Sequence, residues 1–250
     1  MTLHRFFAEG PPPQGAGALP LSASDAHHLR AVLRLAPGDE IALVHAGRAV
    51  RVVLTRVSET IDGEVVGELP VAGLPRVTLV QGLAKGDKMD DVVRHATEIG
   101  VSRFVPLAAE RSVVRLDAAK ASARVERWRR IAAEAAKQSQ QTAMPVVEPV
   151  ARIADLQPLL HGALVLVCWE DATDAPGIAD AIAHAGAPGR EVAVVVGPEG
   201  GLTGDEVEAL VRDGAVTVTL GATVLRTETA GIIAPALAMH ALGGLGAPDA

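Results

Sequence analysis

Apolar and polar positions change rhythm along this 250-residue chain. In the first 70 residues, IALVHAG, RAVRVVLTRVSE and IDGEVVGEL alternate or run β-branched between Gly-containing turns, which predicts short strands of a small β-rich domain. A helix precedes them. In LPLSASDAHHLRAVLR, residues 19–34, Ser24 or Asp25 can cap a helix whose apolar stripe is Leu29, Val32 and Leu33. LPVAGLP, residues 69–75, has two prolines, a glycine and no charge, and marks a boundary. Beyond it come RVTLVQGL, the helical DKMDDVVRHATEIG, RFVPLAAE and a long helix from about Ala118 to Gln141. ALVLVCWE, EVAVVVG and VTVTLG then interleave with helical segments over 174–185, 204–213 and 228–242. This alternation predicts a mainly parallel sheet covered by helices on both sides. There is no internal repeat, and GGLGAPDA reads as a frayed end.

Composition narrows the function classes. Hydrophobic residues make up 49% of the chain, enough for a sizeable core. MTLHRFFAEG lacks a basic start followed by a long apolar run, and no stretch approaches the roughly 20 apolar residues of a membrane span. A cytoplasmic protein without a membrane partner is expected. The single cysteine, Cys168, sits in an apolar strand and reads as an inert thiol. The formal charge of −7 argues against a nucleic-acid partner only if the charge is evenly spread. It is not: Arg111, Arg115, Lys120, Arg124, Arg127, Arg129, Arg130 and Lys137 make the middle third locally basic, while the last third is strongly acidic. A one-sided polyanion contact and a solvated helix face both fit. Few aromatics leave little platform for stacking single-stranded bases. Neither His27-His28 nor any other pair has zinc-like spacing with a third ligand, so no metal is expected.

The stretch VVVGPEGGLTGDE, Val194 to Glu206, carries the candidate chemistry. Its G-x-x-G-G spacing fails the dinucleotide fingerprint, and no lysine follows Lys137 to complete a P-loop. Acidic neighbours at Glu199, Asp205, Glu206 and Glu208 would repel a polyphosphate. What remains is a loop in which Pro198 fixes one φ angle while Gly200 and Gly201 permit positive φ or close backbone approach. Thr203 and Glu206 form a capping box for a helix starting about Gly204. An ordinary tight turn and a ligand cradle both fit these glycines. A second segment, LGATVLRTETAGIIAPALAMHAL, repeats the pattern of strand end, glycine and helix, with Arg226, Thr227, Glu228 and Thr229 packed at the junction. Two such strand ends would converge at the carboxyl edge of a parallel sheet, where open α/β folds bind ligands.

GPEGG followed by LGATVLRTETA resembles the cofactor signature of the SPOUT methyltransferases. With HHLRAVLRLAPGD, KGDKMDDVVRHATEIGV, ERSVV and RWRRIAAEAAKQS, the chain is similar over nearly its whole length to the bacterial 16S ribosomal RNA uracil-N3 methyltransferases. One departure is visible: Gln140, Gln141 and Thr142 stand where the family usually places an arginine before the proline.

The resemblance implies an α/β fold with a C-terminal SPOUT-type trefoil knot on a mainly parallel sheet, preceded by a small PUA-like β-barrel. It divides the chain into an RNA-binding domain over 1–72, a methyltransferase domain over 76–243 and a tail over 244–250. It implies S-adenosylmethionine as cofactor, N3 of a uridine in 16S ribosomal RNA of the assembled small subunit as target, and a homodimer. Gly197, Glu199, Gly200, Gly201, Leu220, Gly221, Leu225 and Thr229 would bind the cofactor. Arg226 would stabilise the developing imide charge, or else tie the knot loops through carbonyls. Glu228 would act as base or orienting group, and Thr227 would supply a hydrogen bond. RNA contacts would come from Arg5, beside Phe6 and Phe7, which also fit the core, from Arg30 and Arg34, and from Lys85, Lys88 and Arg111, each of which also fits an ordinary surface charge. Other RNA methylations of the SPOUT class, at ribose 2′-O or guanine N1, and a non-catalytic ribosome assembly factor are the alternatives.

Overall fold

The computed structural model describes residues 3–71, 73–172, 174–186 and 189–246. The chain separates into two compact units. The first comprises Met1–Gly73 and Ala136–Met144, the second Leu74–Ala135 and Pro145–Ala250. The expected tail over 244–250 lies outside the described residues from 247 on.

The first unit holds a mixed five-stranded sheet built from β1 (His4–Phe7), β2 (Ala16–Ala18), β3 (Glu40–His45), β4 (Arg48–Val57) and β5 (Ile61–Leu69), in the order β1-β3-β4-β5-β2. β1 runs parallel to β3, and the other pairings are antiparallel. Among the described residues β1 and β2 do not pair with each other. Phe6, Leu29, Ile41, Leu43, Val52 and Leu54 form the core.

The short helix α1 (Ala23–His27) begins two residues earlier than expected: its cap is Ser22, whose hydroxyl accepts from Asp25 N at 3.0 Å. Asp25 is instead buried and ion-paired with Lys137 of the same unit, at 2.5 Å. A π-type turn, His28–Val32, follows, and Leu33 N donates to His28 O five residues back. That wider turn breaks the 3.6-residue period. Leu29 is therefore fully buried, whereas Val32, expected on the same stripe, is 60% exposed.

The second unit is an α/β layer structure. Its six strands are β6 (Val77–Gly82), β7 (Arg103–Leu107), β8 (Val146–Val147), β9 (Leu164–Cys168), β10 (Val192–Val196) and β11 (Val216–Val218). They form one sheet in the order β11-β9-β10-β6-β7-β8, every pair parallel. The helices are α2 (Lys88–Glu98), α3 (Ala118–Gln138, of which Ala136–Gln138 belong to the first unit), α4 (Ile153–Leu159), α5 (Ile178–Ala185), α6 (Gly204–Arg212) and α7 (Thr227–Ala241).

The central strand β10 shows why this sequence makes a two-faced sheet. Val192, Val194 and Val196 pack with residues of α2, α3, α5 and α7, such as Val92, Trp128, Ile178 and Ala234. Ala193 and Val195 pack on the other face with Leu156 of α4 and Val207 and Leu210 of α6. A strand buried on both faces reads as a continuous apolar run, as VAVVV does. The expectation of a mainly parallel sheet between helical layers is met. No described helix is long and apolar enough to cross a membrane.

Candidate functional site

The carboxyl ends of β6, β9, β10 and β11 carry the loops that form a cleft of about 640 Å³. Its first wall is the segment after β10. Gly201 N donates to Pro198 O at 2.9 Å, closing a turn with Gly201 at φ +70°. The left-handed backbone thus falls at Gly201, where a Cβ would also strike the Glu170 carboxylate. Gly200 answers to the second reason for glycine, close approach: a Cβ there would lie 3.1 Å from Arg111 O. Gly200 does not line the cleft, whereas Gly197, Glu199 and Gly201 do. A neighbouring strand end is as tightly fitted: a Cβ on Gly82 would run into the Gly197–Pro198 peptide. The loop then enters α6 through the expected box, with Glu206 N donating to Thr203 Oγ1 at 3.3 Å and Thr203 N to Glu206 Oε2 at 2.9 Å.

The second wall runs from Thr219 to Glu228. Leu220, Gly221, Leu225, Arg226, Thr227 and Glu228 all line the cleft, and Thr229 does not. Gly221 has φ +116° and open space where a Cβ would stand. Thr227, the first residue of α7, joins the two walls. Its hydroxyl donates to Gly197 O at 2.6 Å and accepts from Gln81 Nε2 at 2.8 Å. The Thr227 hydrogen is therefore committed to the fold. Gln81 is buried and reaches this position because Gly231, one turn further along α7, has no side chain in its way.

Charge in the cleft is organised around Lys88 at the start of α2. Its ammonium lies 3.2 Å from Glu199 Oε1 and 3.0 Å from Glu228 Oε2. Glu228 first and Glu199 second hold it above its ordinary pKa. Burial raises the Glu199 carboxyl, but the Lys85 N–H at 3.0 Å, its own N–H and Lys88 outweigh that and leave it below the usual range. Glu228 is held low by its own backbone N–H at the helix start, against some burial, with help from Lys88 and Arg226. Arg226 is exposed, and its guanidinium makes no hydrogen bond or ion pair among the described residues. Burial pushes the Cys168 thiol up to about 12, so it stays protonated in this wall. Among the described residues no cluster of His, Cys, Asp or Glu could hold a metal ion.

The residues expected to contact RNA are dispersed. Lys88 belongs to the cleft, clamped between two carboxylates. Arg111 braces the Gly200 loop through Gly200 O at 3.3 Å, and Lys85 lends its backbone to Glu199. In the first unit, Arg5 donates to Gln140 O and Gln141 O, Arg30 donates to Ser58 O, and Arg34 is exposed at φ +54°. An arginine thus does serve the Gln140–Gln141 turn, but it comes from the start of the chain. Sequence reasoning missed Glu170 in the cleft and Gln81, buried behind its wall on Thr227, and it gave Lys88 a role at RNA where the structure gives it one inside the cleft. Gln81 had a signal, since a lone amide at the end of the apolar strand VTLVQG demands a buried partner.

The family profile described as an RNA methyltransferase domain matches residues 72–239, two-thirds of the chain. The chain belongs to this family. The Ribosomal RNA small subunit methyltransferase E of Bacillus subtilis is 35% identical over 245 residues, covering 93% of this chain and 94% of that one. Its namesake from Mycobacterium tuberculosis is 35% identical over 92% of this chain and 88% of its own length. Among solved structures, the Neisseria gonorrhoeae Ribosomal RNA small subunit methyltransferase E bound to S-adenosyl methionine superposes with a TM-score of 0.80 at 30% identity, over 94% of this chain and 96% of that one.

Proposed function

We propose that this chain transfers a methyl group from S-adenosylmethionine to N3 of a specific uridine in 16S ribosomal RNA of the assembled small subunit. One observation carries the reading. In a chain of the RNA methyltransferase family, the GPEGG loop and the LRTET segment meet in one cleft at the carboxyl edge of a parallel sheet, joined by Thr227. The cleft suits this cofactor. Its volume is in the usual range for ligand sites. Backbone at Gly197, Gly201 and Gly221 is bare for an adenine and an amino-acid moiety. Its one lysine is committed to two carboxylates, so the cleft is not built for phosphates.

When bound, the cofactor supplies an activated methyl on a sulfonium. The protein holds the uracil N3 in line with it and manages the imide charge. Arg226, unpaired at the rim, is the cation we assign to that charge. Glu228, kept ionised by its backbone and Lys88, orients groups in the cleft and is too weak a base to draw the N3 proton readily. Thr227 fixes the two walls instead of touching substrate.

We assign residues 1–72 to a PUA-like RNA-binding barrel and 76–243 to a SPOUT domain whose C-terminal part is knotted. The five-stranded sheet of the first unit and the all-parallel sheet of the second support this division. A cytoplasmic homodimer completes the proposal; Ile233 and Leu237, half-exposed one turn apart on α7, suit a partner copy. The test is transfer of labelled methyl from S-adenosylmethionine to small subunits lacking the modification, with digestion and identification of the labelled nucleoside. N3-methyluridine is expected. Label on a ribose or a guanine would overturn the target, and cofactor binding without transfer would make the chain an assembly factor.

A further inference from the structure

The charged side chains lining the cleft do not balance. Lys88 and Arg226 face Glu170, Glu199 and Glu228, leaving an excess of one negative charge. The start of α7 at Thr227 offsets about half a unit of it. Glu199 and Glu228 lie below the usual carboxyl range and Lys88 above its own, while Glu170 is exposed. The Glu170 carboxylate lines the cleft beside Gly201, where a Cβ would strike it.

We infer that the cleft distinguishes fresh from spent cofactor by charge, with Glu170 supplying the uncompensated negative charge and Lys88 limiting it. This rests on the cofactor reading above. S-adenosylmethionine carries one net positive charge at neutral pH. In transfer, the N3–methyl bond forms, the sulfur–methyl bond breaks with its electron pair left on sulfur, and the N3 proton passes to water. The spent cofactor is then an uncharged thioether with a neutral zwitterionic tail. An anionic cleft of fixed charges attracts the first and loses that attraction for the second. Lys88, bridging Glu199 and Glu228, keeps the excess near a single charge, so the cationic ligand is held without being trapped.

The test is calorimetric binding of S-adenosylmethionine, S-adenosylhomocysteine and sinefungin, in which an amine-bearing carbon replaces the sulfonium, to the intact protein at low and high salt. We expect both cations to bind about 3- to 10-fold more tightly than the thioether at low salt, the gap narrowing as salt screens it. Glu170→Gln should shrink the gap toward unity, and Lys88→Met should widen it. Equal or tighter binding of the thioether by the unmodified protein, or a gap indifferent to salt and to Glu170→Gln, would overturn the inference and leave the cofactor reading intact. If none of the three bound, the cofactor reading would fall and the inference with it.

Discussion

Arg103 and Arg226 stand at opposite edges of one parallel sheet and meet opposite surroundings. At the amino edge, Arg103 pairs with Glu148 at 2.9 Å and donates to Leu159 O at 3.0 Å. There Thr78 donates to Glu191 at 2.5 Å, and Arg190 donates to Gly162 O and Ala163 O, both at 2.8 Å. At the carboxyl edge, side chains are absent at Gly82, Gly197 and Gly201, and Arg226 makes no hydrogen bond or ion pair among the described residues. One edge has spent its charges on the fold. The other keeps bare backbone and the uncommitted guanidinium of Arg226 available beside the Lys88 clamp.

The substitution that should break this contrast hardest is Gly82→Ala. Its Cβ would enter the Gly197–Pro198 peptide, a backbone group that cannot swing aside. We expect cofactor affinity to drop at least about tenfold and Tm to fall about 4–10 °C through overpacking. Calorimetry and thermal melts on the same protein check both, and unchanged affinity would show that the two strand ends do not form the cleft wall. Arg226→Ala comes next. Turnover should fall roughly 10²-fold with cofactor Kd nearly unchanged. A large loss of cofactor binding would instead make Arg226 a structural tie.

Arg103→Ala should do the reverse. Stability should fall by about 1–3 kcal/mol in denaturant titration, since Glu148 loses a charged partner, while cofactor Kd stays the same. Altered affinity would mean the two edges are coupled. The smallest effect concerns pH. Glu199 and Glu228 are held below their ordinary value of 4.5 in the folded protein. Their contribution to stability is therefore complete above that value and is lost as pH falls through the folded values. Cofactor affinity should be flat from about pH 6 to 8 and decline only in acid below about 4.5, when the Lys88 clamp releases. A decline near neutrality would sink the assignment of Lys88 as held by two ionised carboxylates.

Legibility in the sequence followed the range of the interaction. The capping box of Thr203 and Glu206, the buried run VAVVV and the parallel alternation of the second unit are local patterns, and the structure reproduces them. Strands β1, β2 and β8 were not foreseen, because each is short and exists by pairing with a distant partner such as β3, β5 or β7. Helix α4 was hidden by Pro158 inside it. Val32 was misplaced because a π-type turn cannot be read from apolar spacing. In the candidate site, the two glycine segments were visible as motifs. The place of Lys88 was not, since nothing in KGDKMDD says that its helix starts beside the ends of β10 and α7.

The bond from Gln81 to Thr227 spans 146 residues. Chain separations of that size make assembly slow, because closure entropy must be met before the contacts reward it. During synthesis, β6 is complete long before its partner on α7 exists. The cleft therefore appears only at the end of the folding reaction, and a chain stopped just short of Thr227 carries all six strands of its sheet but lacks the α7 start that closes the cleft.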